Sequence, residues 1–177
     1  MRSNTIKELT GNLFNYIGLA DAICITTNGF VKSNGECVMG KGCAKTVTEL
    51  FPGIAKILGD SIKSDGNVVI PLLSKKGTVI CTFPVKSVSE LFTGSNAVKH
   101  MHYRFKIGDR VPGWACIADP KLIEKSAIQL VELADKSEWK SIILPRPGCG
   151  AGELSWSDIK PVLDKHFDDR FFSVTFK

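Results

Sequence analysis

Apolar and polar positions along this chain follow two periods. Ala22–Thr27 is a short, nearly unbroken apolar run, the pattern of a strand buried on both faces. Gly42–Gly59 places Ala44, Val47, Leu50, Phe51, Ile54 and Ile57/Leu58 at helical spacing, with Pro52 predicted to kink or divide the helix. Val68–Leu73 and Thr78–Phe83 read as two strands around the turn Ser74-Lys75-Lys76-Gly77. Asp119-Pro120 opens the clearest helix, with aspartate as N-cap, proline at the first helical position and Ile123, Ala127, Leu130 and Ala134 on the buried face. Ser141–Pro145 is a further strand. The next helix is capped by Ser155 or Ser157; Pro161 favours Ser157, which places the proline in the first turn. Phe171–Phe176 closes the series as a strand.

Strands alternating with helices predict a layered α/β domain spanning 1–177. The stretch Ser87–Ala118 does not fit. It is long, basic and aromatic-containing, without clear periodicity, and loops of that length are functional or disordered.

Composition adds little beyond the class. With 177 residues, 44% of them hydrophobic and 23% charged, the chain is ordinary for a globular protein. No apolar run approaches a membrane span, and Met1-Arg2-Ser3-Asn4-Thr5 lacks the apolar core of a signal peptide, so the expected location is cytoplasmic with no membrane partner. A net charge of +5 favours anionic ligands without establishing nucleic-acid binding. Cys24, Cys37, Cys43, Cys81, Cys116 and Cys149 form no C-x-x-C pair and read as free thiols. His100 and His102 alternate without a third ligand nearby, so no metal site is expected.

Candidate chemistry resides in two glycine-rich loops, each between an apolar run and a helical pattern. They are Gly35-Glu36-Cys37-Val38-Met39-Gly40-Lys41-Gly42 and Pro145-Arg146-Pro147-Gly148-Cys149-Gly150-Ala151-Gly152. Such loops at helix N-termini offer backbone N–H groups to anions, and two of them suit a diphosphate held from both sides. The first also matches G-x-x-x-x-G-K, but Gly42 stands where a phosphate-binding loop of the nucleotide triphosphatases needs Ser or Thr for Mg²⁺.

A family pattern covers nearly the whole chain outside Ser87–Ala118. Gly11-Asn12-Leu13-Phe14, then Asn28, then Val38–Ala44, then Thr82-Phe83-Pro84-Val85-Lys86, then Leu144–Trp156 occur in the order seen in the macro domain family. The chain resembles most the branch of terminal ADP-ribose protein glycohydrolase and the DNA ADP-ribosyl glycohydrolase antitoxins. The resemblance implies a three-layer α/β/α fold with a mixed central sheet and ADP-ribose in a cleft at the strand ends. It implies that Gly11, Asn12 and Leu13 lie near the adenine, where many members carry Asp instead of Asn12. It places Asn28 near the distal ribose with a catalytic role, though Asn28-Gly29 is also a strong turn dipeptide. It assigns Met39, Gly40, Lys41, Gly42, Cys43 and Ala44 to the loop around the distal ribose and diphosphate. Pro147, Gly148, Cys149, Gly150, Ala151, Gly152, Glu153 and Leu154 form the second anion-binding segment.

Lys86 matches the catalytic lysine of the DNA-directed glycohydrolases. A lysine attacks an anomeric carbon or protonates a leaving group when its pKa is lowered. Two departures stand out. The protein-directed enzyme has a catalytic aspartate where this chain has Gly152, with Glu153 adjacent, and about six extra residues separate Asn28 from Val38. Arg146 is open between phosphate contact and a surface acid, and Trp156 between core and cleft. The resemblance implies no cofactor. It implies ADP-ribose, or an ADP-ribosylated nucleic acid, protein or small molecule, as partner. A non-catalytic binder of ADP-ribose derivatives and an ADP-ribose 1″-phosphate phosphatase are the alternatives.

Overall fold

The computed structural model describes residues 5–176. Six strands form a mixed sheet in the order β1-β8-β7-β2-β4-β3, from β1 (Lys7–Thr10), β8 (Phe171–Thr175), β7 (Ile142–Pro145), β2 (Ala22–Asn28), β4 (Thr78–Lys86) and β3 (Pro71–Lys75). All neighbours run parallel except β3, which pairs antiparallel with β4.

The period of two along the central strands divides the core into two layers. Ala22 and Cys24 of β2, with Cys81, Phe83 and Val85 of β4, pack on one side against Ile123, Ala127, Leu130 and Ala134 of α3 (Pro120–Ser137) and Ile159 and Leu163 of α4 (Trp156–Asp164). Ile23, Ile25 and Ile80 face the other way, onto Cys43, Ala44 and Val47 of α1 (Gly42–Leu50) and Ile54 and Leu58 of α2 (Ile54–Asp65). These are the three α/β/α layers that the family resemblance implies. The chain leaves β2 for α1 on one face and β7 for α4 on the opposite face. The crevice between these two neighbouring strands is a topological switch point, where open α/β sheets bind ligands.

The structure revises several sequence-based boundaries. Pro52 does divide the first helix, but α2 runs past Gly59 to Asp65. Gly59 is not a terminus: a Cβ there would overlap the Gly35 carbonyl, so the glycine admits the extra residues before Val38 against the helix. Leu50 and Ile57 are 49% and 46% exposed and lie off the buried face. Before β3, the chain at Val68–Ile70 is held by the Thr82 hydroxyl, which accepts from Ile70 N–H (2.8 Å) and donates to the Val68 carbonyl (3.0 Å), so regular pairing starts only at Pro71.

Asp119 caps α3 as expected, accepting from the Lys121 N–H at 2.9 Å. At α4 the N-cap is Ser155, not Ser157; the two hydroxyls bond each other at 2.7 Å, and Pro161 falls inside the helix rather than in its first turn. β1 was not predicted. Its Lys-Glu-Leu-Thr sequence is an edge strand with only Leu9 partly covered.

Ser87–Ala118 is an ordered insertion. β5 (Ser89–Leu91) pairs antiparallel with β6 (Arg110–Pro112), and Phe92, Ala97, Val98, Met101, Val111, Ala115 and Cys116 form a separate small core beneath them. All six cysteines are free thiols, and burial pushes Cys37, Cys81 and Cys116 up to about 12.

Candidate active site

The C-terminal ends of β2, β4, β7 and β8 open into a cleft of about 570 Å³. Its walls come from both glycine loops and from the insertion. Of the residues expected at the site, Asn28, Met39, Gly40, Lys41, Gly42, Cys43, Ala44, Lys86, Gly148, Cys149, Gly150, Ala151 and Gly152 line it.

The first loop ends at the N-terminus of α1. Lys41 is the N-cap residue but makes no side-chain cap, and Gly42 begins the helix with φ of +62°. The open amide end of the helix therefore faces the cleft, a favourable position for an anion. In the second loop, the N–H groups of Gly150, Ala151 and Gly152 meet no acceptor among the described residues. The loop is closed around them, with Glu153 N–H donating to the Gly150 carbonyl (3.0 Å) and Leu154 N–H to the Gly148 carbonyl (2.9 Å). Three successive unclaimed backbone donors therefore border the cleft.

Lys86 ends β4. A register shift between Thr27 and Asn28 sets Asn28 opposite Lys86, after Thr27 has faced Pro84. Such a bulge re-aims side chains at the end of a ladder. The lysine is buried, and its amine donates to the carbonyls of Trp114 (3.2 Å) and Ala151 (3.3 Å). Burial lowers its pKa below the ordinary lysine value, and Lys41 pushes the same way, while Cys116 and Glu153 act against the shift.

Asn28 borders the cleft with both ends of its amide engaged. It donates to the Val38 carbonyl at 2.9 Å and accepts from Phe30 N–H at 2.9 Å. These bonds make it the post on which the first loop hangs. Lys41 reaches across to the insertion, its amine 3.1 Å from His100 Nε2.

Other expected residues lie outside the cleft lining. Gly11 extends β1 by donating to the Thr175 carbonyl at 2.8 Å, and the Asn12 side chain accepts from Phe14 N–H at 3.0 Å as cap of a short 3-10 turn containing the buried Leu13. Beside them, Thr175 and Phe176 reach the cleft. Pro147 is buried and Leu154 packs into the core. Glu153 has φ of +64° and turns away, its carboxylate accepting from Lys99 N–H of the insertion at 2.8 Å. A side chain at Gly152 would collide with the Gly148 carbonyl and with Ala118, so the loop in this conformation has no room for an aspartate there.

Sequence reasoning left Arg146 and Trp156 open and placed neither Trp114 nor His100 in the cleft. Arg146 binds Glu8 of β1 at 3.2 Å and lies 5.0 Å over the Trp156 ring, whose indole N–H donates to the same carboxylate at 2.7 Å. This settles Arg146 on an acid, although both residues also line the cleft. Arg146 Nε and the Thr175 hydroxyl are buried without a hydrogen-bond partner among the described residues. The insertion supplies Trp114 and His100. No periodicity in Ser87–Ala118 marks either residue as facing a cleft.

Among the described residues, no three His, Cys, Asp or Glu side chains converge on a metal position, and no helix is long and apolar enough to cross a membrane.

No protein-family model matches the chain. A curated protein of Thermosipho africanus, described as a DNA ADP-ribosyl transferase–DNA ADP-ribosyl glycohydrolase fusion protein, is 28% identical over 137 residues, 77% of this chain and 34% of its own length. The chain thus spans about a third of that relative. Among solved structures, the macrodomain of Mycobacterium tuberculosis DarG superposes with a TM-score of 0.68 at 19% identity, covering 97% of each chain. Thermosipho africanus DarTG in complex with ADP-ribose gives 0.65 at 19% identity, over 100% of this chain and 43% of the other. The macrodomain of Thermus aquaticus DarG gives 0.66 at 20% identity, over 96% and 97%.

Proposed function

We propose that this chain, whose fold is that of the macrodomains, binds ADP-ribose in the cleft and hydrolyses the bond between the distal ribose and an attached group. The observation that carries this reading is the Lys86 amine. It is buried at the end of a core strand, tethered by two carbonyls and facing the cleft between the two anion-binding loops. The similarity to the DNA ADP-ribosyl glycohydrolase fusion protein and to a structure with bound ADP-ribose supports it.

In this reading the diphosphate lies against the free N–H groups of Gly150, Ala151 and Gly152 and the open end of α1. The distal ribose sits beside Met39–Ala44, over the Asn28 post. A lowered pKa enlarges the fraction of Lys86 present as neutral amine. That form has two N–H bonds and one lone pair. With both N–H bonds directed at Trp114 and Ala151, the lone pair is left for the cleft. The amine attacks the anomeric carbon as the bond to the attached group breaks. The leaving group takes the bonding pair and one of the two protons of the alkylated Lys86 nitrogen. Water then cleaves the ribosyl–lysine bond, releasing ADP-ribose and restoring the amine. The attached group is a nucleic acid in this reading, as the relative's description has it for that protein.

One observation favours a second reading, a binder without catalysis: among the described residues no Asp or Glu lines the cleft, and the nearby Glu153 is turned onto Lys99. Calorimetry and mass spectrometry separate the two. Free ADP-ribose should bind at micromolar affinity, on the order of −8 kcal/mol. Lys86→Ala should keep that affinity and lose about 10² to 10⁴ in cleavage rate on ADP-ribosylated DNA. Unchanged turnover in the variant removes Lys86 from the mechanism. A wild type that binds ADP-ribose but cleaves no linked substrate establishes the binder, and absence of ADP-ribose binding defeats both.

A further inference from the structure

We infer that Trp114 is a stacking platform for a nucleobase joined to the distal ribose, so that the insertion selects base-linked ADP-ribose. This rests on the ADP-ribose reading above and concerns what lies beyond the ribose.

Trp114 sits in a 3-10 turn, Gly113–Ala115, directly after β6. Its neighbours Val111, Gly113, Ala115 and Cys116 are buried in or against the insertion's own core, whereas Trp114 itself is 37% exposed and lines the cleft. A large aromatic face held in water forgoes the free energy of burial until something covers it.

The backbone that presents this ring is fixed on both sides. Gly113 N–H donates to the Val88 carbonyl at 2.9 Å, and a Cβ at Gly113 would overlap the Ser87 carbonyl. Val98 N–H donates to the Ala115 carbonyl at 2.9 Å, and Cys116 N–H to the Gly113 carbonyl at 3.1 Å. A backbone so fixed leaves only the two side-chain torsions of Trp114 to be ordered when a ligand stacks on the ring.

Its position names the ligand. The Trp114 carbonyl is one of the two acceptors of the Lys86 amine, so this residue stands beside the group that addresses the anomeric carbon. Whatever is attached to that carbon lies within reach of the ring. A base offers a flat π-face to an indole, and such stacking tolerates any base. A carboxylate-linked peptide offers none. The same insertion carries the exposed cations Lys99, Arg104, Lys106 and Arg110, which suit phosphates flanking a base in a strand.

The test measures binding in a Lys86→Ala background, where turnover does not interfere. Four probes are compared: free ADP-ribose, an ADP-ribosylated nucleoside, a single-stranded DNA oligonucleotide ADP-ribosylated on one base, and a glutamate-linked ADP-ribosyl peptide. Trp114→Ala should weaken the nucleoside and the oligonucleotide by about tenfold to hundredfold and leave the other two within about twofold. Trp114→Phe should retain most of the lost affinity. Trp114→Leu, which keeps bulk without a π-face, should resemble Ala. Equal weakening of free ADP-ribose would mean that the ring serves ADP-ribose itself. Equal weakening of peptide and oligonucleotide, or no change in any probe, also overturns the inference. If the oligonucleotide alone responds, the ring reads the strand rather than the linked base, and the inference fails in that form. Failure of the unsubstituted protein to bind free ADP-ribose instead defeats the reading on which the inference rests.

Discussion

The two glycine loops look alike in sequence and use glycine for opposite reasons. In the first, a side chain at Gly40 or Gly42 would meet nothing within 4 Å, and Gly42 has a positive φ of +62°. Glycine there leaves the cleft empty and lets the chain turn into α1. In the second, a Cβ at Gly148 would press on Ala118 and Ile123 at 2.9 Å, and one at Gly152 on Ala118 and the Gly148 carbonyl at 2.6 Å. Glycine there lets the protein close on itself. Gly150 alone in that loop opens onto free space, like Gly40 and Gly42 of the first. A glycine-rich pattern therefore does not say which glycine faces a ligand and which faces the protein.

Substitutions of one size at these positions test the contrast. Gly152→Val should have the largest effect, because its neighbour is backbone and cannot give way. Overpacking of this kind costs about 1–3 kcal/mol and displaces the loop. Denaturant unfolding should show the loss, and calorimetry should show ADP-ribose binding gone with it. Wild-type stability in this variant would refute the crowding.

Gly150→Val should separate the two properties. Its side chain enters the cleft, so ADP-ribose should bind about tenfold or more weakly, which is at least 1.4 kcal/mol, with the thermal midpoint nearly unchanged. Parallel loss of stability and binding would erase the distinction between the two kinds of glycine.

Lys86, between the loops, adds a smaller and pH-dependent effect. Its folded pKa lies below the ordinary value, so between the two values the unfolded chain binds more protons than the folded one. Stability then rises with pH across that window, and below the folded value the penalty for the buried charge is constant. The wild type should gain on Lys86→Met as pH is raised from neutral. A difference independent of pH would contradict the shift.

The least effect on free ligand is expected from changing Arg104, Lys106 and Arg110 together to Ser. These residues are exposed on the insertion and none lines the cleft. ADP-ribose binding should stay the same. A linked polyanion should bind more weakly, with a flatter dependence on salt because fewer phosphates are neutralised. Identical salt slopes before and after would remove the insertion's cations from substrate contact.

What was legible in the sequence follows from where side chains point. β2, β4, α3 and the division at Pro52 carry strong apolar periods, and the structure keeps them. β1 is an edge strand whose pairing is backbone hydrogen bonding to β8, and that leaves little trace in hydropathy. Gly59 resembles a helix stop in sequence, and only the approach of the Gly35 carbonyl explains it. Pro161 lies inside α4, at the cost of one helical hydrogen bond, and a propensity argument moved the helix start to Ser157 to avoid that cost. The loops and Lys86 were legible because a family pattern marks them. Trp114 and His100 were not, and Arg146 and Trp156 stayed open between two roles, because their partners come from distant segments.

The contact between Glu153 and Lys99 has a practical consequence. The Lys99 N–H donates to a carboxylate that stands one residue beyond Gly152. Any excursion of the second glycine loop frees that amide to exchange with solvent. A ligand that immobilises the loop should therefore slow exchange at Lys99, which lies outside the cleft lining. Lys99 is thus a built-in reporter of occupancy, readable residue by residue in the unmodified protein and requiring no turnover.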